Sequence, residues 1–472
     1  MISIDTLRPD HLGCYGHEAP TSPNIDALAR SGTRFARVHS STTWTLPAHL
    51  SLLTGLPDDL HGVVHDVVPL DPHRTLLAER FQQAGYATAG FFGGPYLHGL
   101  FGFARGFDSY LDCSGGTLSR EGWPSPDDPG SADEKIDRIE NESHRIRTAE
   151  RTEQAVEQFL EEHGDEPFFL FIHHWDVHFD FNAPQEFVDL FAPEYQGRLS
   201  MREFMKNPDI NPSMDEADRQ YLLACYDAEI RSVDHQIGKL REKLERIGVL
   251  ENTYIVITAD HGEQFFEHGM KGHRIDLYEE TLRIPLIITG PGVRPAQVVE
   301  RQARIFDIMP TVLSLARLPP VSDAYGVSLH PLLRGEDPPG LSNLPIVAEL
   351  FLSPEEDPGH YTRHLAVGRS GRKLIQATRH AFVPNEPVRL GVPGVAPPLI
   401  RLFDLKLDPG EQRELSLHAP ELLEEMQILL ARVEDGLATK RASLKRAGQT
   451  AVRALDPDVD RMLRENGYVK GG

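Results

Sequence analysis

The sequence predicts an α/β fold: a large, mainly parallel central sheet flanked by helices, then a smaller antiparallel sheet with a helix packed on it. Three observations carry this prediction. Apolar strand-like runs alternate with amphipathic helical runs over the first 340 or so residues, the pattern of a sheet covered on both faces. Polar side chains stand just past the ends of three of those runs: Asp5, then Asp176 and His178, then Asp260 and His261. In a parallel sheet that edge is where ligands bind. Beyond residue 340 the texture changes to short strand candidates separated by turns. The expected division is therefore a catalytic domain over 1–340 and a C-terminal subdomain over 341–472.

Each element has its own local reason. Ile2–Ile4 is strand-like and runs straight into Asp5. Residues 22–31 read as a helix with Ser22 as cap, Pro23 in the first turn and Gly32 past the end. Residues 75–84 form a second amphipathic helix closed by Gly85, and Ala87–Phe92 a strand. The stretch 112–140 is polar, rich in Gly and Pro and without period, which suits a long surface loop or lid. Residues 143–163 are helical. Pro167–Ile172 is an apolar strand that delivers His173, His174, Trp175, Asp176 and His178. Residues 217–246 make one long helix, with apolar spacing at Leu222, Tyr226, Ile230, Val233 and Ile237. Tyr254–Thr258 and Ile284–Ile288 are strands. In the C-terminal part, Val347–Phe351, His364–Val367, Lys373–Gln376 and Leu402–Leu405 are strand candidates, 420–433 is a helix, and 434–454 is a basic, peripheral helical stretch.

Composition narrows the function. The chain has 472 residues, 71 acidic against 48 basic, for a formal charge of −23. That balance disfavours electrostatic binding to nucleic acid or anionic membrane. Cys14, Cys113 and Cys225 are far apart and odd in number, so neither a disulfide framework nor a thiolate zinc site is indicated. No apolar run has the length of a membrane span, and no basic-then-apolar signal opens the chain. As it stands the chain reads as cytoplasmic. Met1–Asp5 reads as the second half of a strand, which leaves room for an upstream segment. Oligomeric state has no signal.

The chemistry gathers on four residues. In 42–55 (TTWTLPAHLSLLTG), Pro47 suits the first turn of a helix and Gly55 the residue after its end. Thr45 therefore lies at the helix N-terminus, where amide donors and the helix dipole suit an anion. Alone, Thr45 reads as an N-cap, and Asp260-His261 as a hydrogen-bonded turn. Together, Asp5, Asp260 and His261 offer two carboxylates and an imidazole, a fair ligand set for a divalent cation with an open position. A hydroxyl held there loses its proton more readily, and Thr45 becomes a competent nucleophile.

The segments ISIDTLRPDHLGCYGH (2–17), TSPNIDALARSGTRFARVHSS (21–41), TLPAHLSLLTGLPDDLHGV (45–63), AGYATAGFF (84–92), GFDSY (106–110), ITADHGEQFFEHG (257–269), YEETLRIPLIITGPG (278–292), IFDIMPTVLSLA (305–316), LFDLKLDPGEQREL (402–415) and LRENGYV (463–469) stand in one order. In that combination the chain resembles the sulfatase family of the alkaline phosphatase superfamily. The resemblance implies an alkaline-phosphatase-like sandwich and an ester hydrolase. Carried onto this sequence, it makes Asp5, Asp260 and His261 metal ligands, with Thr45 both ligand and nucleophile. His178 becomes the histidine that contacts the substrate or protonates the leaving oxygen, and His273 a second basic residue of the site.

Departures from the family bear on substrate. The sulfatase nucleophile is a Cys or Ser converted to formylglycine; Thr45 cannot become that aldehyde, and His49 stands where the following Arg would be. Thr6 replaces the second Asp of the opening pair, and Gly93-Gly94-Pro95-Tyr96 replaces the segment carrying the sulfate-binding Lys. His261 replaces the Asn of calcium-dependent relatives, and nitrogen ligation favours Zn²⁺ or Mn²⁺ over Ca²⁺. The expected cofactor is one divalent ion. A second would need Asp176 with His173 or His174, whose plainer role is to orient His178. The expected reaction is in-line attack by Thr45 on a small anionic phosphate ester, diester or monoester, or on a sulfate ester. His49, His178 and His273 would contact the substrate, and His178 or His273 would move protons. The competing readings are a sulfatase without formylglycine, a phosphoethanolamine-type transferase, and a non-catalytic anion-binding homologue.

Overall fold

A computed structural model of the chain describes residues 1–64, 68–114, 147–341, 344–352, 360–381 and 399–448. Its centre is a nine-stranded sheet. In chain order the strands are β1 (Ile2–Ile4), β2 (Thr33–His39), β3 (Ala87–Phe92), β4 (Ser109–Asp112), β5 (Phe168–His174), β6 (Ile255–Ala259), β9 (Arg283–Ile284), β10 (Leu286–Thr289) and β11 (Gln297–Arg304). The remaining pair, β7 (Gln264–Phe265) and β8 (Lys271–Gly272), forms a separate two-stranded ribbon. Across the sheet the order is β11-β2-β10-β6-β1-β5-β3-β4, with β9 also paired to β2.

The centre is parallel, as expected. β1 lies between β5 and β6, with Ile4 opposite both His174 and Ala259. β3 continues beside β5, and β4 beside β3, in the same direction. The expectation of one strand over Ile284–Ile288 needs correction. Pro285 interrupts the ladder, leaving β9 on β2 and β10 between β6 and β2, both antiparallel.

Buried positions follow the helical period. In Ala149–His163 the inward side chains are Ala149, Thr152, Val156, Phe159 and Leu160. Of the helix expected over 143–163, residues 143–146 lie outside the described residues. Ala149–His163 packs, with Pro23–Ser31, on the long helix Glu216–Arg246. The helix expected over 75–84 is shorter, Leu77–Gln83. Ser22 does cap Pro23–Ser31 by position, but its hydroxyl serves the loop before it. The capping acceptor is Asp234, reached from the long helix, which takes the Asn24 and Ile25 amides at 3.0 and 2.8 Å.

The second sheet is an antiparallel meander: β12 (Ile346–Leu352), β13 (His360–Arg369), β14 (Arg372–Ala381) and β15 (Leu399–Asp404). The helix on it runs from Pro420 to Gly448, so the helix expected over 420–433 and the basic stretch after it are one element as far as residue 448; residues 449–454 lie outside the described residues. Of the expected lid, residues 115–140 lie outside the described residues, as does 463–469. No helix among the described residues is long and apolar enough to cross a membrane.

Candidate active site

Register builds the site. Asp5 follows β1, Trp175 follows β5 and Asp260 follows β6, so three parallel strands deliver side chains to one edge. The Asp5 amide donates to His174 O at 2.9 Å, carrying the ladder one step past the strand. Thr6 turns there with φ 52; its amide donates to Asp260 Oδ1 and its hydroxyl to Val177 O. This ties β1 to both neighbours.

The fourth residue arrives on a helix. Thr45–Thr54 is buried along its whole length, starts after Trp44 and ends at Gly55, whose φ of 69 suits a glycine cap. Thr45 is its first residue. Its hydroxyl donates to Asp5 Oδ2 at 3.4 Å and lies 3.5 Å from His261 Nε2. Pro47 has no amide to offer, so the amides at the helix start belong to Thr45 and Leu46. His261 Nε2 is 3.8 Å from Asp5 Oδ1 and 3.4 Å from Asp260 Oδ2. His261 Nδ1–H donates to Gly262 O, which turns Nε2 toward the carboxylates.

The histidines beyond this cluster divide into two groups. Toward the strand ends, the His273 ring lies 4.5 Å from His261 and 4.9 Å from His178, centroid to centroid. His178 stacks on Trp175 at 3.9 Å, and its Nδ1–H donates to Phe179 O, which makes Nε2 the unprotonated nitrogen of the neutral ring. Beneath the cluster lie His49 and His173. His49 is fully buried; Nδ1 is 2.8 Å from Thr45 O and Nε2 2.9 Å from Ser3 Oγ. Burial pushes it down to about 3, so it is a neutral ring that props the first turn of the helix. His173 Nε2 lies 3.3 Å from Asp5 Oδ2, and burial lowers it to about 4.

Among the described residues, Asp176 and His174 do not join a metal set. Asp176 takes the Thr148 amide at 2.7 Å and the Thr148 hydroxyl, and burial raises it to about 6. The residues that do cluster beside the first set are His49, His173 and Asp260.

A match to the sulfatase family extends over residues 1–318. The chain belongs to the sulfatase family of ester hydrolases. Among sulfatase relatives, it is 26% identical over 357 residues to an ulvan-active sulfatase of Formosa agariphila, covering 71% of this chain and 65% of that one. It thus spans just under two thirds of that relative. Two solved structures share the fold. One, in complex with its substrate D-glucosamine-2-N,6-O-disulfate, has a TM-score of 0.71 at 20% identity, covering 94% of this chain and 97% of that one. The other, a phosphonate monoester hydrolase of Agrobacterium radiobacter, has a TM-score of 0.68 at 21% identity, covering 93% and 95%.

Within this sulfatase fold, one site residue carried no clear mark in the sequence. Glu263 is fully buried, and its Oε1 lies 3.1 Å from His273 Nδ1. Burial and then the nearby Asp5 carboxylate push Glu263 well above the usual carboxylate range. Its position two residues after His261 was the available signal.

Proposed function

We propose that this chain is a metal-dependent esterase that cleaves phosphate esters, diesters foremost, with Thr45 as nucleophile. The observation that carries the reading is Thr45 itself: a hydroxyl on the first residue of a ten-residue helix, within 3.5 Å of both Asp5 and His261.

The donor set fits a divalent cation. Asp5, Asp260 and His261 are fully buried, with ligand atoms within 4.8 Å of one another. Asp260 Oδ2 and His173 Nε2 are buried without a hydrogen-bond partner among the described residues, a penalty that a bound cation relieves. Asp5, Asp260, His261 and the Thr45 hydroxyl would hold the ion, and the imidazole favours Zn²⁺ or Mn²⁺ over Ca²⁺. When bound, such an ion acts as a Lewis acid that lowers the pKa of a coordinated hydroxyl and neutralises charge on the ester.

The chain's own residues do the rest. Thr45 Oγ gives up its proton to water and attacks phosphorus in line with the leaving oxygen. The amides of Thr45 and Leu46 meet the charge on the equatorial oxygens. His178 Nε2 delivers a proton to the leaving oxygen as the ester bond breaks. Water then attacks phosphorus of the phosphothreonine, giving its proton back to His178, and the P–Oγ bond breaks to leave a Thr45 alkoxide that regains its proton from water. A Thr ester has no elimination route, so release depends on this water, which favours phosphorus. The neutral His49 in place of an Arg removes a positive charge from the pocket, which favours a monoanionic diester over a dianionic monoester.

A second reading, cleavage of sulfate esters, is favoured by the family match and by the sulfated substrate of the structural neighbour. One panel tests both: aryl phosphate monoester, phosphodiester, phosphonate monoester and sulfate ester, each with Zn²⁺ or Mn²⁺. The phosphodiester should give the highest kcat/KM. Thr45→Ala should lower kcat on it by at least about 10³-fold, and chelation should abolish turnover until metal is restored. Unchanged turnover by Thr45→Ala rules out the nucleophile; a sulfate ester as best substrate selects the second reading.

A further inference from the structure

A separate cluster of metal-ligating side chains sits away from this site. The turn after β1 carries His11, and the chain reverses at Gly16 (φ 107) to bring back His17. Asp227, on the long helix, meets both. Its Oδ1 is 2.6 Å from His11 Nδ1 and its Oδ2 is 3.2 Å from His17 Nε2. The two imidazole rings lie 5.0 Å apart, and the three donor atoms are within 4.8 Å of one another. None is shared with Asp5, Asp260 or His261.

We propose that His11, His17 and Asp227 form a structural divalent-metal site, suited to zinc, that pins the segment after β1 to the long helix. The donor set is two imidazole nitrogens and a carboxylate oxygen, with a fourth position left for water. The site is built like a metal site on both sides. Its inner wall is apolar and aromatic: the His11 ring packs edge-on against Tyr226 at 4.9 Å and lies 6.3 Å from Phe265. Its outer side opens at His17, whose side chain is 22% exposed, giving the fourth ligand and an entry path. The backbone is fixed independently, because the Thr21 hydroxyl donates to His11 O at 2.6 Å.

Zinc–ligand bonds of about 2.0–2.2 Å place donors roughly 3.2–3.5 Å apart. The present spacings are those of two N–H donors on a carboxylate, so loading requires His11 to move back by less than about 1 Å. On loading, His11 binds through Nδ1 as the neutral ring with its proton on Nε2, and His17 through Nε2 with its proton on Nδ1; any second ring proton goes to water. The site also reaches toward the chemistry. Tyr226, the neighbour of Asp227, donates its hydroxyl to Thr6 O at 2.7 Å and accepts the Arg8 amide at 2.9 Å. An ion here would hold the chain on the far side of Asp5.

The test counts zinc on the full chain by equilibrium dialysis and plasma mass spectrometry. His17→Ala and His17→Gln, both at a partly exposed loop position, should each hold one zinc fewer than wild type. Asp260→Asn, which alters the proposed catalytic set, should lose a different zinc, and combining it with His17→Ala should lose both. If both His17 variants, folded by circular dichroism, bind as many zinc ions as wild type with unchanged affinity, the triad is only a hydrogen-bonded network and the proposal fails. That outcome does not depend on whether Asp260→Asn loses its own ion.

Discussion

His178 and His273 sit side by side above the Thr45 cluster, but their surroundings differ. His178 is clamped between Trp175 and the Phe179 carbonyl. His273 is held by Glu263, whose carboxyl burial and the nearby Asp5 charge hold well above the usual carboxylate range. The pairing suits His178 to proton delivery and His273 to orientation of the ester. His178→Gln should therefore act on the leaving group. With an alkyl leaving group kcat should fall by about 10²–10⁴-fold; with 4-nitrophenol, which needs no proton to depart, the loss should be under tenfold. Equal losses on both substrates would remove His178 from the acid role. At this scale the sequence was readable wherever a residue ended an element. Asp5, Asp260 and His261 follow strands and Thr45 starts a helix, so each was marked by the pattern that stops at it. Glu263 was not so marked. It follows a turn with no period around it. His173 was marked only as one of several polar residues past an apolar run; the structure places it inside β5.

The elements place these residues through contacts made far away in sequence. The helix Pro23–Ser31 starts without a side-chain cap of its own, and Asp234 on the long helix fills that role. Burial, set against the Ile25 and Asn24 amides, raises the Asp234 carboxyl to about 6 from its ordinary 3.8. An acid raised in the folded state contributes most below its unfolded pKa. That contribution is lost as pH climbs from about 4 to about 6, because the unfolded chain ionises first. Relative to Asp234→Asn, the wild type should lose on the order of 3 kcal/mol over that range. Urea midpoints of both proteins at pH 4 and pH 6.5 measure this; a difference that does not change with pH would mean Asp234 is ionised throughout. The same long-range character limits what a sequence reveals about elements. Strand existence was legible from apolar runs and helix existence from spacing. The direction of β10 was not, because an antiparallel strand buried between β6 and β2 carries the same apolar run as a parallel one.

At the scale of the molecule, the C-terminal sheet bears directly on the loop that leads to Thr45. The Glu349 amide on β12 donates to Ser41 O at 2.7 Å, four residues ahead of Thr45. Deeper in this junction, Lys373 on β14 is fully buried between two carboxylates, Glu279 at 3.0 Å and Glu411 at 2.9 Å. Glu279 also meets His39 of β2 at 3.1 Å, so one ion network joins the two sheets. Burial opposes every charge here, yet the Lys373 and His39 contacts outweigh it at Glu279 and hold that carboxyl below its usual range. Glu411, sharing the same cation, is pushed up to about 7 by burial and the Glu279 charge. One ammonium therefore faces the full charge of Glu279 and part of a charge on Glu411 at neutral pH, and removing Lys373 strands that negative charge. Lys373→Met keeps the length of the side chain and removes the charge, leaving Glu279 buried against His39 alone. Breaking a buried pair from one side costs about 3–5 kcal/mol. Adding Glu279→Gln and Glu411→Gln to Lys373→Met removes the stranded charge, and should recover most of that loss. Thermal melts of the wild type, the single variant and the triple variant decide it. If the triple variant melts as low as Lys373→Met, the junction is held by packing rather than by its charges.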